Sequence, residues 1–382
     1  MNDIVRFAED SRRAAFAFNQ PYFGRRGCSR RDCAKNAGMK TFYSPAHLSH
    51  DPLAQFEGGV LAPAVEIPIR AERVRAEVEA RRIGPVLAPT AFDDAPILRV
   101  HDAGLVKFLG VAHAEWRKRY GENAPAALPS AWPAHGLRDG REGDIEAKLG
   151  SYAFSSDTPI LRGTWSAARE AVNVALSAAE AIRAGERAAF ALTRPPGHHA
   201  AADVFGGFCY LNNIAIAAQF LADAGMRPAV LDVDYHHGNG TQSIFYARSD
   251  VFFCSVHADP HFAYPHFLGF ADERGEDAGA DFNLNLPLPA GTDWALYEQA
   301  LALALKAVES FGPDVLLVSL GLDTYIDDPI ASFRLKPADY LRLGEKIAAL
   351  GCPTLFVFEG GYAVDALGEI TANVLEGFAG KS

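Results

Sequence analysis

The sequence predicts a single open, mostly parallel α/β sheet with helices on both faces. Short apolar runs alternate with longer segments of helical apolar spacing along most of the 382 residues, as in repeated strand–helix units. Polar residues capable of chemistry follow directly after four of the short runs. In an open α/β sheet, sites form where the strands end. A hydrophobic content of 49% and a charged content of 22% are ordinary for a globular protein.

The individual elements follow from the apolar spacing. Pro337 near a helix start and Gly351 just past its end fit the usual asymmetry of helix caps. Helices are expected at 68–82, 97–119, 163–185, 212–224, 240–248, 293–311 and 337–350, and strands at 188–192, 228–232, 251–256, 314–319 and 354–358.

Two stretches depart from this alternation. Residues 1–38 carry eight basic and four acidic side chains without a hydrophobic period, which predicts a basic, mobile N-terminal extension before one domain at 39–382. Cys28 and Cys33 lie in the extension, but no second cysteine pair follows to complete a metal site. The second stretch, about 120–160, is rich in Pro and Gly, and loops of that length are usually functional or disordered.

Composition narrows the class of partner and compartment. A net charge of −11 argues against nucleic acid and mildly favours cationic ligands. No apolar run approaches the length of a membrane span, and no signal-peptide pattern is present. Five cysteines, several of them in apolar runs, indicate free thiols in a reducing compartment. We therefore expect a cytoplasmic protein with neither a membrane nor a nucleic acid as partner.

The most informative segment is D-V-D-Y-H-H-G-N-G-T, which begins at Asp232 where an apolar strand ends. Asp234 and His236 are two residues apart, so on extended backbone their side chains point to the same side. An oxygen and a nitrogen ligand together suit a divalent ion such as zinc. The alternative is a turn whose Asp and Asn side chains only satisfy backbone groups.

Three further motifs follow apolar runs in the same way. They are R-P-P-G-H-H-A at 194–200, S-L-G-L-D-T at 319–324 and E-G-G-Y at 359–362. Together with the first segment, they resemble the arginase–deacetylase superfamily, specifically its histone deacetylase family with a class II-like pattern. The similarity, which runs from Met39 onward, is greatest to bacterial acetylpolyamine amidohydrolases, through F-G-G-F-C-Y-L-N-N and Y-P-H-F-L-G as well.

The resemblance implies a metal centre and its catalytic groups. Asp234, His236 and Asp323 match the family's three ligands, and two carboxylates with one His allow Fe²⁺, Mn²⁺ or Co²⁺ to compete with Zn²⁺. Taken alone, Asp323 also fits a helix N-cap, and the neighbouring His237 is expected to be structural.

The tandem histidines match the family's acid–base pair. His199 is expected to act as general base and then acid, with His198 as an electrostatic partner. Asp232 and Asn239 are the expected acceptors that orient His198 and His199, and an Asn in the second place should leave His199 less basic.

Tyr362 follows two glycines and is expected to donate a hydrogen bond to the carbonyl oxygen as negative charge develops. The alternative is a tyrosine of the core. Gly207, Phe208 and Tyr264 occupy the family's channel positions, where two aromatic faces enclose an aliphatic chain, although Phe208 also fits a core-packing role.

The resemblance also implies sites outside the catalytic centre. Glu146 and Asp157 align with acidic residues that bind a distal ammonium at the tunnel mouth, but Gln55 stands where a Glu is expected. A monovalent site for K⁺ or Na⁺ matches Asp232, Asp234, His236, Ser255 and Val256. Relatives carry an insertion at 120–160 that builds a homodimer and narrows the entrance.

These expectations define one principal function and its rivals. We expect a zinc-dependent amidohydrolase acting on small cationic acetylated amines, of the acetylputrescine or acetylcadaverine type, and working as a homodimer. The near alternative is a protein or peptide acetyl-lysine deacetylase, which a narrow entrance would disfavour. An arginase-like ureohydrolase needs a carboxylate at Gly238, and a non-catalytic binder would lack Tyr362 or a tandem His.

Overall fold

The structure, a computed structural model, describes residues 38–57 and 59–380. Its centre is a sheet of eight strands in the order β4-β1-β5-β10-β9-β6-β7-β8, and every neighbouring pair is parallel. A separate antiparallel pair, β2 and β3, is formed by Ala54–Glu57 and Val60–Pro63. The strands of the large sheet are β1 (Lys40–Phe42), β4 (Val86–Leu87), β5 (Ala188–Ala191), β6 (Pro228–Asp232), β7 (Phe252–Ala258), β8 (Asn283–Leu288), β9 (Val315–Leu320) and β10 (Thr354–Phe358).

The central strands are apolar at nearly every position because both faces of the sheet are covered. In β10, Phe356 and Phe358 pack into the core on one face, whereas Leu355 and Val357 pack into the core on the other. Alternate side chains of a strand point to opposite faces, so one apolar run supplies both cores. The fold predicted from the sequence is confirmed.

Helices cover both faces of the sheet. The first core receives buried side chains from Ile69–Ala80, Trp294–Phe311, Pro337–Ala348 and Val364–Ala379. The second core receives them from Ala95–Leu98, Ala103–Tyr120, Ile145–Tyr152, Thr164–Arg183, Asn213–Asp223 and Asn239–Phe245. Two short 3-10 helices, Pro45–Ser49 and Asp277–Gly279, complete the described elements.

The expected helix at 97–119 is wrong in one respect, because the structure divides it. A single turn, Ala95–Leu98, is followed by a separate helix that begins at Ala103. Asp102 lies between them in an extended conformation, and its carboxylate accepts hydrogen bonds from the N–H groups of Gly104 and Leu105. This N-cap starts a new helix in the middle of a continuous apolar pattern.

Several elements were absent from the sequence prediction. The edge strand β8 has the sequence N-L-N-L-P-L, whose proline and asparagines do not favour a strand on their own. The last helix, Val364–Ala379, and the β2–β3 hairpin were also missed. The predicted loop at 120–160 contains the helix Ile145–Tyr152, and Ala127 pairs with Ile160 across its base.

The predicted mobile extension at 1–38, with Cys28 and Cys33, lies outside the described residues except for Gly38. Among the helices that the structure describes, none combines the length and the apolar character needed to span a bilayer.

Candidate active site

Four adjacent strands carry the candidate catalytic residues to one edge of the sheet. Strands β5, β10, β9 and β6 are neighbours, and because they are parallel, their carboxyl ends meet at the same edge. The four sequence motifs follow these strands. The connecting segments therefore bring together residues that are up to about 160 positions apart in sequence.

Three buried donors form the centre of the site. One ligand atom from each of Asp234, His236 and Asp323 lies within 4.8 Å of the others. The Nδ1 atom of His236 lies 2.9 Å from Oδ2 of Asp323 and 3.4 Å from Oδ1 of Asp234. Both aspartates are fully buried. The structure brings Asp234 and His236 together, although both lie in a bend after β6 and not on extended backbone, and Asp323 joins them from the loop after the neighbouring strand β9.

Backbone groups fix the two carboxylates. Oδ2 of Asp234 accepts a hydrogen bond from the N–H of Gly360 at 2.9 Å, and Oδ1 of Asp323 accepts one from the N–H of Tyr235 at 2.7 Å. A Cβ atom at Gly321 would lie 2.0 Å from Oδ2 of Asp234, and one at Gly360 would lie 2.6 Å from it. Glycine is required at both positions because the backbone passes so close to the carboxylate.

The charges of this cluster fit a divalent cation. Burial and, to a smaller extent, the charge of Asp234 raise the pKa of Asp323 to about 7. Among the described residues, the ion-pair partners of these two carboxylates are histidines and not Lys or Arg. Two buried carboxylates with one imidazole are a donor set suited to Zn²⁺, Fe²⁺, Mn²⁺ or Co²⁺. The residues present therefore fit a single divalent ion of this kind.

The tandem histidines lie beside the donors and are oriented as predicted. Nδ1 of His198 is 3.0 Å from Oδ2 of Asp232, and Nδ1 of His199 is 2.7 Å from Oδ1 of Asn239. The two rings are 4.0 Å apart between centroids. In each case the bond at Nδ1 leaves Nε2 as the ring nitrogen available for chemistry.

The two histidines differ strongly in pKa. Burial lowers the pKa of His198, but the charges of Asp234 and Asp232 outweigh burial and raise it to about 10. Burial lowers the pKa of His199 well below its usual value, and the charges of His198 and His236 lower it further. The pKa of His198 is therefore shifted upward and that of His199 downward, so His199 is the member of the pair that more readily stays neutral.

Tyr362 is held at the far side of the cluster by the turn after β10. Its peptide N–H donates a hydrogen bond of 2.7 Å to Oδ2 of Asp328, and the guanidinium of Arg70 lies 4.6 Å from its ring centroid. Gly361 has a φ of +115°, a conformation that favours glycine and permits this turn. Burial raises the pKa of Tyr362, so the phenol keeps its proton at neutral pH.

The channel residues lie against His199 and Tyr362. The ring of Tyr264 meets that of His199 edge-on at 5.0 Å, and Phe208 meets Tyr362 edge-on at 5.7 Å. Both aromatic side chains remain partly exposed. A Cβ atom at Gly207 would lie 2.4 Å from Cδ2 of His199, so this position must be glycine. The three predicted channel residues are thus brought together above the catalytic groups.

Asp157 stabilises the channel wall through hydrogen bonds to the segment that carries Gly207 and Phe208. Its Oδ1 accepts hydrogen bonds from Ser155 at 2.5 Å, Thr158 at 2.7 Å and the N–H of Gly207 at 3.1 Å. The N–H of Phe208, which has a positive φ of 65°, bonds to the Thr158 hydroxyl at 2.9 Å. Asp157 also lines a pocket with Gln55, Glu66 and Phe208.

Glu146 is not brought to the catalytic residues within one chain. Its carboxylate accepts a hydrogen bond from Tyr120 and lies 3.9 Å from Arg119, on the outer helices. Gln55 has its side-chain oxygen bonded to the N–H of Val65 at 3.0 Å. The carboxylate of Glu66 in the same pocket is paired with Arg70 and Arg194.

The residues of the expected monovalent site lie together under the donor cluster. Asp232 and Ser255 are paired across β6 and β7, and Val256 follows Ser255 in β7. Asp232, Ser255 and Val256 are fully buried, as is Asp234. Gly238 has no room for the further carboxylate of an arginase-like site, since a Cβ there would lie 2.2 Å from Oδ2 of Asp232.

His237 is bonded elsewhere. Its Nε2 lies 3.0 Å from the side-chain oxygen of Gln242, in a buried polar group that also includes Asn283 and Asn285. This contact agrees with the structural role expected for it.

Two residues that were not predicted from the sequence hold the backbone of the turn that carries Tyr362. Asp328 holds the Tyr362 peptide, and Arg70 donates to the carbonyl oxygens of Glu359 at 2.7 Å and Gly361 at 2.6 Å. Asp328 follows Asp323 in the same loop, and this proximity in sequence to a predicted metal ligand could have pointed to it. Arg70 lies on a helix almost 300 residues earlier and gives no such hint.

Comparisons with known proteins agree with this geometry. The family model of the histone deacetylase domain matches residues 64–378. The chain is 50% identical over 343 residues to acetylpolyamine amidohydrolase 2 of Pseudomonas aeruginosa, covering 90% of this chain and 99% of that protein. It is 45% identical over 343 residues to the acetylpolyamine amidohydrolase of Mycoplana ramosa, covering 90% of this chain and all of the relative.

Solved structures show the same fold. The crystal structure of the acetylpolyamine aminohydrolase of Burkholderia pseudomallei superposes with a TM-score of 0.84 at 40% identity, covering 90% of this chain and 99% of that chain. The HDA15 HD domain superposes with a TM-score of 0.75 at 26% identity, covering 91% of both chains. The chain therefore belongs to the histone deacetylase domain family, and it is a hydrolase of the deacetylase type.

Proposed function

We propose that this member of the histone deacetylase domain family removes the acetyl group from acetylated aliphatic amines, and that acetylpolyamines are its preferred substrates. The observation that carries the proposal is the placement of three buried metal donors beside an oriented histidine pair and Tyr362. Relatives that match over nearly their whole length at 45–50% identity are named acetylpolyamine amidohydrolases, which supports the substrate class.

Asp234, His236 and Asp323 would hold one divalent ion, with Zn²⁺ as the first choice. Three protein ligands that leave a position open are the usual arrangement of a catalytic zinc site. When bound, the ion would supply Lewis acidity to the acetyl carbonyl and to the attacking water. Asp232, Asp234, His236, Ser255 and Val256 would hold K⁺ or Na⁺ as a structural ion beneath it.

The chain's own groups perform the proton transfers. His199, neutral because burial lowers its pKa, takes the proton of the attacking water at Nε2 and then passes it to the leaving amine nitrogen. His198, whose pKa the charges of Asp234 and Asp232 raise, lies beside it and stabilises the negative charge that develops. The Tyr362 hydroxyl donates a hydrogen bond to the carbonyl oxygen as that charge forms, and Asp232 and Asn239 keep the rings in place.

Substrate selection would occur between Phe208 and Tyr264. Two aromatic faces enclose a thin methylene chain and can attract a nearby ammonium by about 0.5–1 kcal/mol. Asp157 adds a carboxylate beside this channel, whereas Glu66 in the same pocket is already neutralised by two arginines. The neutral Gln55 leaves the pocket with less negative charge than a Glu would give, which favours a monoacetylated diamine over a longer polyamine.

We further propose that the chain acts as a homodimer. In one copy, Tyr120, Trp132 and Leu137 remain 46%, 39% and 67% exposed, all at or within the 120–160 segment. A symmetric partner offers the same apolar patch in return. Glu146 lies on the helix of this segment, so dimerisation is the arrangement in which it would approach a tunnel entrance.

The experiment that tests the function is a comparison of kcat/KM for acetylputrescine, acetylcadaverine, acetylspermidine and an acetyl-lysine peptide. The proposal expects the acetylated diamines to exceed the peptide by at least about tenfold. The variant Tyr362→Phe, measured in parallel, shows that the activity arises at this site. A peptide that is hydrolysed faster than every acetylpolyamine would instead identify a protein deacetylase.

A further inference from the structure

A second group of buried ligand atoms lies next to the donor cluster. His198, Cys209 and Glu359 each offer one ligand atom, and the three atoms lie within 4.8 Å of one another. Cys209 lies just after the channel residue Phe208, and Glu359 follows β10 directly. A nitrogen, a sulfur and an oxygen donor are therefore gathered on the histidine side of the site.

Glu359 has one carboxylate oxygen in use and one without a partner. Oε2 accepts hydrogen bonds from the N–H groups of Gly197 at 2.6 Å and His198 at 3.2 Å. Oε1 is buried and, among the described residues, has no hydrogen-bond partner. A buried carboxylate oxygen in this state costs free energy unless a ligand satisfies it.

His198 can offer its second ring nitrogen as a ligand once that nitrogen has lost its proton. Because Nδ1 is bonded to Asp232 at 3.0 Å, a cation can bind only at Nε2, which lies 3.8 Å from Oδ2 of Asp234. Metal-bound histidines commonly hold a carboxylate on their other nitrogen in this way. The Asp232–His198 pair is therefore already arranged as a ligand and its supporting acceptor.

The surrounding charge permits a second cation. Asp232, Asp234, Asp323 and Glu359 are all fully buried in this region. One divalent ion at Asp234, His236 and Asp323 offsets the charge of only two of these four carboxylates. A second divalent ion can therefore bind close to the first without an excess of positive charge.

We propose that His198, Cys209 and Glu359 form a second metal site that takes thiophilic divalent ions such as Zn²⁺ or Cd²⁺ and inhibits the enzyme when filled. A sulfur donor selects these ions over Mn²⁺, which prefers oxygen ligands. On binding, the Cys209 thiol releases its proton to solvent, as does the Nε2 atom of His198 where it is protonated, and the ion occupies that nitrogen. The inhibition rests on the proposed role of His198 in deacetylation, whereas the binding itself does not.

The binding is tested with Cd²⁺ titrations of the full-length protein, already loaded with one equivalent of Co²⁺. Thiolate ligands of Cd²⁺ give an ultraviolet charge-transfer band, and none of Asp234, His236 and Asp323 carries sulfur. The protein used throughout is Cys28→Ser/Cys33→Ser, which removes the only closely spaced cysteine pair in the sequence. We expect a band that saturates at one equivalent of Cd²⁺.

Cys209→Ser decides the assignment. It keeps the size of the side chain but replaces the soft ligand, so the band should disappear. The matched control, Cys352→Ser, changes a thiol at the opposite end of β10 and should keep the band. Cys209→Ala is the second variant if the serine variant does not fold. A band of equal intensity in the parent and in either Cys209 variant would overturn the site.

Inhibition gives an independent measurement. Excess Zn²⁺ should inhibit acetylputrescine hydrolysis by the parent protein, and Cys209→Ser should raise the inhibitory concentration by more than about tenfold while keeping basal activity. Excess Mn²⁺ should not inhibit. Equal Zn²⁺ inhibition of both proteins would refute the inhibitory role. If no acetylated amine is hydrolysed, the proposed function fails, and the Cd²⁺ band still decides whether the site exists.

Discussion

The carboxylate of Asp328 accepts a hydrogen bond of 2.7 Å from the peptide N–H of Tyr362. Its other oxygen accepts one of 3.1 Å from the N–H of Ile330, so a single buried side chain joins the loop after β9 to the turn after β10. Burial raises the pKa of Asp328 to about 6. The position of the Tyr362 hydroxyl therefore depends on a residue that does not itself touch the substrate.

Asp328→Ala should lower kcat while leaving KM nearly unchanged, because the Tyr362 turn loses its anchor. The loss should not exceed that of Tyr362→Phe, about 10²–10³. Asp328→Asn keeps one acceptor oxygen and can accept only one of the two hydrogen bonds, so its kcat should lie between those of the wild type and Asp328→Ala. Asp327→Ala, at the exposed neighbouring position, is the matched control.

A double-mutant comparison separates this positioning role from general damage to the fold. In the Tyr362→Phe background, Asp328→Ala should cause little further loss of kcat, since the anchored hydroxyl is already absent. Fully additive losses would show that Asp328 acts elsewhere.

Tyr362→Phe should keep the bound metal and substrate affinity while kcat falls by about 10²–10³, the usual cost of one oxyanion donor. Steady-state kinetics with metal analysis on the same sample measure both quantities. His199→Ala should be at least as damaging, because it removes both proton transfers. Tyr246→Phe, at a position away from the site, provides the control. An unchanged kcat in Tyr362→Phe would assign the oxyanion to another group.

Chelation should abolish activity, and Zn²⁺ or Co²⁺ should restore it. Asp234→Ala and Asp323→Ala should each lose the bound ion, because three ligands leave no redundancy. Metal content after dialysis is the direct measurement, with Asp250→Ala on the surface as the control. Full activity after exhaustive chelation would contradict the metal assignment.

Stability should fall between pH 6.5 and about 4 through histidines that are buried in the neutral form. Burial lowers the pKa of His101 to about 4, and it lowers that of His257 to about 4 as well. In this window the unfolded chain binds protons at these residues and the folded chain does not, so acid favours unfolding. Each group contributes about 1.4 kcal/mol per pH unit within the window.

His101→Gln tests this prediction. The glutamine oxygen can accept the hydrogen bond that the N–H of Asn212 donates to Nε2 of His101 at 2.9 Å. Urea unfolding at pH 7, 6 and 5 gives the slope of the unfolding free energy against pH. This slope should be smaller in His101→Gln than in the wild type, by an amount that corresponds to about one bound proton. Parallel pH dependences in the two proteins would show that His101 is protonated in the folded state.

Leu137→Asp should convert the proposed dimer to a monomer, because it places a charge in the apolar patch of the 120–160 segment. Sedimentation velocity measures the change, and kcat/KM should fall more for acetylputrescine than for an acetyl-lysine peptide. Leu98→Asp, at an exposed leucine that ends the short helix Ala95–Leu98, should leave the dimer intact. A wild-type monomer would retire the dimer and strengthen the case for a protein deacetylase.

Local pattern was enough to predict the sheet and the centre of the site. The central strands are buried on both faces, so each appears as a continuous apolar run whatever surrounds it. Parallel strands end at one edge, so residues that follow those runs must meet there. The sequence alone therefore predicts that Asp234, His236 and Asp323 are neighbours, with His198 and His199 beside them.

Only the tertiary structure decided what surrounds that centre. The edge strand β8 forms because β7 provides its hydrogen-bonding partners, and its own sequence favours no strand. Asp328 and Arg70 reach the Tyr362 turn from 34 and about 290 positions away, where no periodicity applies. The sequence resemblance suggested only an ammonium-binding role for Asp157. In the structure its carboxylate also holds the channel wall by accepting a hydrogen bond from the N–H of Gly207. Spacing along the chain determines contacts within an element, whereas contacts between distant elements depend on how the cores pack.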